Sequence, residues 1–129
     1  MRATAAATPL LTRLEQLLYG RLVRAFPGHI ILSHMALSHL LTADFVVCRA
    51  DFTPLVVFEI DEVAGPAADA AAHAARRERN RRKDQSLQAA GIKVIRLPAG
   101  DLPAEPALRA LAAAHPLHSS TEQLVRRVS

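Results

Sequence analysis

Between Thr12 and Phe26 the apolar residues Leu14, Leu17, Leu18, Leu22, Ala25 and Phe26 recur at helical spacing, which predicts an amphipathic helix of about four turns. Thr12-Arg13-Leu14-Glu15 reads as a capping box at its start, where the Thr hydroxyl and the Glu carboxylate each satisfy a backbone N–H; Pro27-Gly28 ends it. His29 to Leu37 is apolar, partly β-branched and too short for a typical helix, so it predicts a strand, while Ser38 to Thr42 carries no clear pattern. Two further β-rich runs, 44–49 and 54–60, flank the polar break Ala50-Asp51-Phe52-Thr53 and predict a β-hairpin. The second run is apolar on both parities, as in a central strand covered by helices on both faces.

After Gly65, Pro66 suits a first helical turn and Gly91 a helix C-cap, which predicts one long helix over about 66–90. Ile92 to Leu97 follows as another strand. Asp101 can cap a helix running to Ala114, and Ser119-Ser120-Thr121-Glu122 is a second capping box before a short final helix, so two C-terminal helices are expected over about 102–128. The order α, β, β, β, α, β, α, α implies an α/β fold with a mixed sheet between helices. At 129 residues it is a single domain, 1–129.

Composition narrows the chemistry. Half the residues are hydrophobic and 22% charged, as in a globular protein. Cys48 is the only cysteine, which excludes an internal disulfide, a CxxC redox pair and a cysteine-rich zinc module, and fits a reducing compartment. No apolar run approaches the ~18 residues of a membrane span, and residues 1–12 read as a frayed leader, so the expectation is a cytoplasmic protein without a membrane partner. The net charge of +4 comes from fourteen Arg and two Lys against twelve acids. Its placement matters more: Arg76, Arg77, Arg79, Arg81, Arg82 and Lys83 lie in one short stretch of the long helix. Such a run is either a solvated face or a phosphate-binding one, where arginine makes bidentate contacts. Helical spacing puts Arg76, Asn80, Lys83, Leu87 and Ala90 on one stripe, so packing of Leu87 on the sheet would bring Lys83 close to it.

The hairpin carries the second feature. A turn centred between Asp51 and Phe52 sets Asp44 opposite Glu59, with β-carbons about 5 Å apart. Asp61 follows two residues after Glu59, hence on the same face. Three carboxylates then converge on one end of the hairpin, an arrangement that needs protons, water or a cation. A hard divalent cation such as Mg²⁺ (or Mn²⁺) fits oxygen ligands of this kind. The alternative is that these acids simply mark strand ends in solvent. On the metal-site reading, Asp44→Ala or Glu59→Ala should abolish the site's activity and, by relieving like-charge repulsion, leave stability unchanged or raised.

A helix with Glu15, a strand, Asp44 opening a hairpin, Glu59-Ile60-Asp61 closing it and a helix with Lys83 together resemble the PD-(D/E)XK nuclease superfamily, whose core is αβββαβ. More narrowly, the chain is similar to small bacterial domains of unknown function related to very-short-patch-repair endonucleases. Its matching stretches are Leu11-Thr12-Arg13-Leu14-Glu15, Ala43-Asp44-Phe45-Val46, Phe58-Glu59-Ile60-Asp61, His73, Arg79-Asn80-Arg81-Arg82-Lys83-Asp84 and Ala90-Gly91-Ile92-Lys93-Val94-Ile95-Arg96, within about 11–97. The chain departs from the pattern in Asp61, which stands where the superfamily usually has lysine, in Asn80 for Asp, and in Ala43 for Phe. In such cases the lysine is often supplied from the following helix, here as Lys83.

The resemblance implies a restriction-endonuclease-like core and metal-dependent phosphodiester hydrolysis of restriction or repair type. Asp44 and Glu59 would bind Mg²⁺ or Mn²⁺, with Asp61 or Glu15 as a further ligand, direct or through water; the capping box also accounts for Glu15. Lys83 would orient the attacking water and balance charge in the transition state. Arg76, Arg77, Arg79, Arg81, Arg82 and His73 would meet nucleic acid, most simply DNA. The rival reading is an inactive nucleic-acid-binding domain on the same fold, and a third is a protein-interaction module whose Ala-rich helices make a homodimer surface. His115 and His118 are split by Pro116 and lack cysteine company, and Cys48 reads as core rather than nucleophile.

Overall fold

The computed structural model describes residues 11–38, 41–61 and 70–114. The elements follow in the order α1 (Arg13–Ala25), β1 (Ile30–Ser38), β2 (Leu41–Cys48), β3 (Pro54–Asp61), α2 (Ala70–Ala89), β4 (Lys93–Pro98) and α3 (Glu105–Ala114). The fold is α/β. One mixed four-stranded sheet runs β1-β2-β3-β4, with β1/β2 and β2/β3 antiparallel and β3/β4 parallel. Parallel neighbours need a crossover, and α2 supplies it.

Two apolar layers sandwich the sheet. Leu18, Leu22 and Ala25 of α1 and Leu108 of α3 pack on Phe45, Val47, Val56, Phe58, Ile95 and Leu97. Leu87 of α2 packs with Val46, Cys48 and Val57 on the other side, bordered by Ile30, Leu32, Ile92 and Val94. Both parities of β3 are therefore buried between Val56 and Glu59, as its continuous apolar run implies. Leu87 is the one fully buried side chain of α2, so this helix is seated by little apolar surface and must be positioned largely by polar contacts.

Local chemistry sets the boundaries. The Thr12 hydroxyl accepts from Glu15 N at 3.1 Å and Glu15 Oε1 accepts from Thr12 N at 2.9 Å, so the predicted capping box is formed. Gly91 ends α2 at φ 85, a left-handed conformation that favours glycine. The third helix begins at Glu105 rather than after Asp101. Pro103 disfavours helix at its preceding residue, whereas Pro106 sits in the first turn, where its missing N–H costs nothing. Arg21 instead binds the free carbonyls of Leu102 and Pro103 at 2.7 and 3.0 Å. The expected leader, the first turn of the long helix near Pro66, the final helix and His115/His118 lie outside the described residues. Among the described residues no helix is long and apolar enough to cross a membrane.

Candidate active site

The β2–β3 register pairs Phe45 with Phe58 and Val46 with Val57, so Asp44 and Glu59 are the next positions facing one another, as expected, although the ladder shifts between Val47 and Cys48 nearer the turn. Here side chains take over the ladder. Asp44 N donates to Glu59 Oε2 at 2.7 Å, and Ile60 N donates to Asp44 Oδ2 at 2.9 Å. Each carboxylate is thereby fixed by a backbone donor. Glu59 is only 5% exposed and is the single buried charged residue among the described ones. Its second oxygen accepts from Lys83 Nζ of α2 at 2.8 Å, a part-buried ion pair that supplies the compensation a buried charge requires. The Lys83 stripe thus faces the sheet as its spacing predicts. The expectation that removing either acid only relieves repulsion is corrected: both acids also satisfy backbone N–H groups.

The third carboxylate is drawn elsewhere. Arg96 is the register partner of Glu59 on β4. It donates to Asp61 Oδ1 at 3.2 Å and, through Nε and Nη2, to both oxygens of Asp84 at 3.1 and 2.7 Å. Bound to Arg96, Asp61 does not complete a ligand set with Asp44 and Glu59. Among the described residues no group of three His, Cys, Asp or Glu side chains is placed to hold a metal ion. The convergence of three carboxylates expected from strand parity is therefore not formed; parity fixes the face, but the cation on the neighbouring strand decides where the carboxylate goes.

Glu15 has two tasks: it closes the capping box through Oε1, and Oε2 lies 2.9 Å from His34 Nε2. His34 falls between Ser33, paired with Phe45, and Met35, paired with Ala43, so it stands beside Asp44 on β1. Its backbone is left-handed, φ 49, a conformation uncommon outside glycine. The hydrogen bond to Glu15 raises the His34 imidazole above its ordinary range against an opposing effect of burial, and the charges of Glu15 and Asp44 add to the rise. Partial burial pushes the Glu15 carboxyl up, but the hydrogen bonds from His34 and Thr12 outweigh it and hold it below its usual value. A cavity of about 270 Å³ opens at this end of the sheet, lined by Thr12, Leu14, Glu15, Asp44, Ile60 and Arg76.

The basic helix divides. Arg76 is half-buried and lines the cavity, whereas Arg77, Arg79, Arg81 and Arg82 are exposed. Arg81 donates through two nitrogens and Arg82 through one to Glu78. Those contacts hold the Glu78 carboxyl at about 2. His73 lies half-buried one turn before Arg76, with Nε2 buried and without a hydrogen-bond partner. Cys48 is buried in the core, and burial pushes its thiol up, as befits packing rather than nucleophilic chemistry.

His34 and Arg96 are the two site residues to which motif reasoning gave no role, although Arg96 closes one of the matching stretches. The signal for Arg96 was a charge inside the apolar strand Lys93–Pro98; for His34, only a polar residue in an apolar run.

Residues 41–111, more than half of the chain, match the family model described as protein of unknown function DUF2726. The chain belongs to the DUF2726 family. Neither a curated protein nor a solved structure matches it. The DUF2726 region runs from β2 into α3 and contains Asp44, Glu59, Asp61, Lys83 and Arg96, while Glu15 and His34 lie before it.

Proposed function

We propose that this DUF2726 domain is a metal-dependent phosphodiester hydrolase acting on DNA, a nuclease of the PD-(D/E)XK kind related to very-short-patch-repair endonucleases. The observation that carries the reading is the Asp44–Glu59–Lys83 constellation beside a cavity that Arg76 also lines. Beyond the backbone N–H groups they satisfy, two acids and a lysine from separate elements, one of them a buried glutamate, meet beside a cavity; such coupled charges gather at functional sites, and a hydrolytic site explains their meeting there.

The donor set fits Mg²⁺ or Mn²⁺. Mg²⁺ is commonly held by one or two carboxylates, several waters and substrate phosphate rather than by a protein cage, which agrees with two paired acids and, among the described residues, no third grouped with them. Asp44 and Glu59 would hold it, with Glu15 reached through water across the cavity that Asp44 and Glu15 line. When bound, such an ion polarises a phosphoryl oxygen and lowers the pKa of its water. Lys83 orients the attacking water beside Glu59 and offsets negative charge growing on the phosphoryl oxygens. Arg76 draws a phosphate into the cavity, and the exposed Arg77 and Arg79 hold flanking backbone phosphates. The P–O bond to the leaving strand breaks as water's oxygen bonds to phosphorus; the attacking water releases one proton to solvent and the departing oxygen takes one up from it.

A second reading is DNA binding without cleavage. It is favoured by Asn80, by Asp61 being bound to Arg96, and by both Glu59 oxygens being engaged within the protein. Incubation with supercoiled plasmid in Mg²⁺, Mn²⁺ or EDTA, beside Asp44→Asn, separates the two. Nicking that requires both the metal and Asp44 is the expected result. DNA retention at low salt with no nicking in either metal overturns hydrolysis and leaves the binding reading.

A further inference from the structure

Lys83 and Asp84 are consecutive on α2, and Glu59 and Arg96 are register partners on β3 and β4. The helix therefore grips the sheet twice at one level: Lys83 to Glu59 at 2.8 Å, and Asp84 to Arg96 through two hydrogen bonds at 2.7 and 3.1 Å. The two grips differ in kind. A guanidinium held by both oxygens of one carboxylate is fixed in plane and direction, whereas an ammonium is a point charge on a flexible stem. Since Leu87 is the only fully buried side chain of α2, apolar packing alone leaves the helix free to roll about its axis. Rotation by one position would carry Lys83 away from Glu59 and leave a buried carboxylate unpaired. Arg96 also binds Asp61, which shares the sheet face with Glu59 and would otherwise compete for Lys83.

We propose that Arg96 is a positioning residue. By gripping Asp84 it sets the rotation of α2 at which Lys83 meets Glu59, and by holding Asp61 it keeps a third carboxylate from that contact. The catalytic consequence rests on the nuclease reading above; the positioning of Lys83 does not.

The chain has only two lysines, Lys83 and Lys93, so ¹⁵N-lysine labelling yields two side-chain ammonium signals. Lys93, whose Nζ donates to the Ala112 carbonyl at 2.8 Å, is the internal reference. In the wild type both ammonium groups should exchange slowly with water. In Arg96→Gln and Asp84→Ala the Lys83 signal should shift and exchange faster while that of Lys93 stays in place. If Arg96→Gln unfolds the domain, shown by loss of the Lys93 signal, Asp84→Ala carries the test because it removes only the helix side of the grip. A Lys83 signal unchanged in folded variants overturns the proposal.

Cleavage is read on the same samples. Misplacing a catalytic group by about an ångström costs on the order of 100-fold, so kcat should fall by roughly 10- to 100-fold with KM for DNA held within about twofold. Wild-type kcat in variants with a released Lys83 overturns the catalytic consequence. Release of Lys83 in the variants of a protein whose wild type never cleaves supports the grip and defeats the nuclease reading, so the two failures are distinct.

Discussion

Replacing Lys83 by methionine removes the cation from the least exposed carboxylate among the described residues. The side chains of Glu59 and Lys83 are 7% and 19% exposed, so neither charge is fully hydrated. Removing one member of a buried pair costs roughly 3–5 kcal/mol, because the other stays buried without compensation. Two features reduce that figure here. Asp44 N still donates to Glu59 Oε2 at 2.7 Å, and methionine retains much of the packing of the lysine stem. About 2–3 kcal/mol remains, which for a domain of this size lowers Tm by roughly 6–12 °C. Glu59→Gln should cost less, about 1 kcal/mol, since the stranded ammonium sits on a flexible chain that can reach water. Urea and thermal unfolding of the wild type, both single variants and the double variant close a cycle whose coupling should exceed about 1 kcal/mol. The double variant should be more stable than Lys83→Met alone. Additive losses, or a Lys83→Met protein within about 0.5 kcal/mol of wild type, would refute the claim that this pair compensates a buried charge.

Asp44→Ala strips the Ile60 N–H of its acceptor and should destabilise by about 1–3 kcal/mol, whereas Asp44→Asn keeps an oxygen there and should melt close to wild type; equal melting of the two in denaturant would contradict the ladder role. The Glu78 carboxyl, held at about 2 by Arg81 and Arg82, has a folded value below the usual 4.5, so its stabilising contribution is present above about 4.5 and is lost as pH falls toward about 2. NMR titration of the Glu78 carboxyl carbon should show that low midpoint, and a midpoint near the ordinary value would show the two guanidiniums to be unpaired in solution. Glu78→Ala frees Arg81 and Arg82 for phosphate and should tighten DNA binding at low salt, with a salt slope steeper by up to roughly 2; an unchanged slope in fluorescence anisotropy would mean that this face does not meet DNA.

Much of the fold is legible because burial enforces period. The both-sided apolar run at β3 reads as a covered strand, and the Leu14–Phe26 spacing as α1, because a mismatch there would expose large side chains. The pairing of Asp44 with Glu59 is legible for a similar reason: the apolar pairs Phe45/Phe58 and Val46/Val57 hold the register there, although nearer the turn the ladder shifts by one position between Val47 and Cys48. What parity cannot supply is the destination of a long polar side chain. Asp61 shares a face with Glu59, yet it goes to Arg96, whose position follows from the parallel pairing of β4 and from the crossover through α2. His34 is hidden for a related reason, because its contact with Glu15 joins β1 to the start of α1 through a left-handed backbone that no local pattern announces. The start of α3 shows local signals competing, since the prolines at 103 and 106 overrule the cap offered by Asp101.

On the proposed reading, Asp44, Glu59 and Lys83 act on a phosphodiester as a unit. Its most direct test is single-turnover cleavage of an end-labelled DNA duplex in Mn²⁺ by wild type, Asp44→Asn, Lys83→Met and the double variant. Groups that act together lose their effect together, so each single variant should fall to background and the double variant should fall no further. Cleavage at the wild-type rate by either single variant would show that the three groups do not act as a unit.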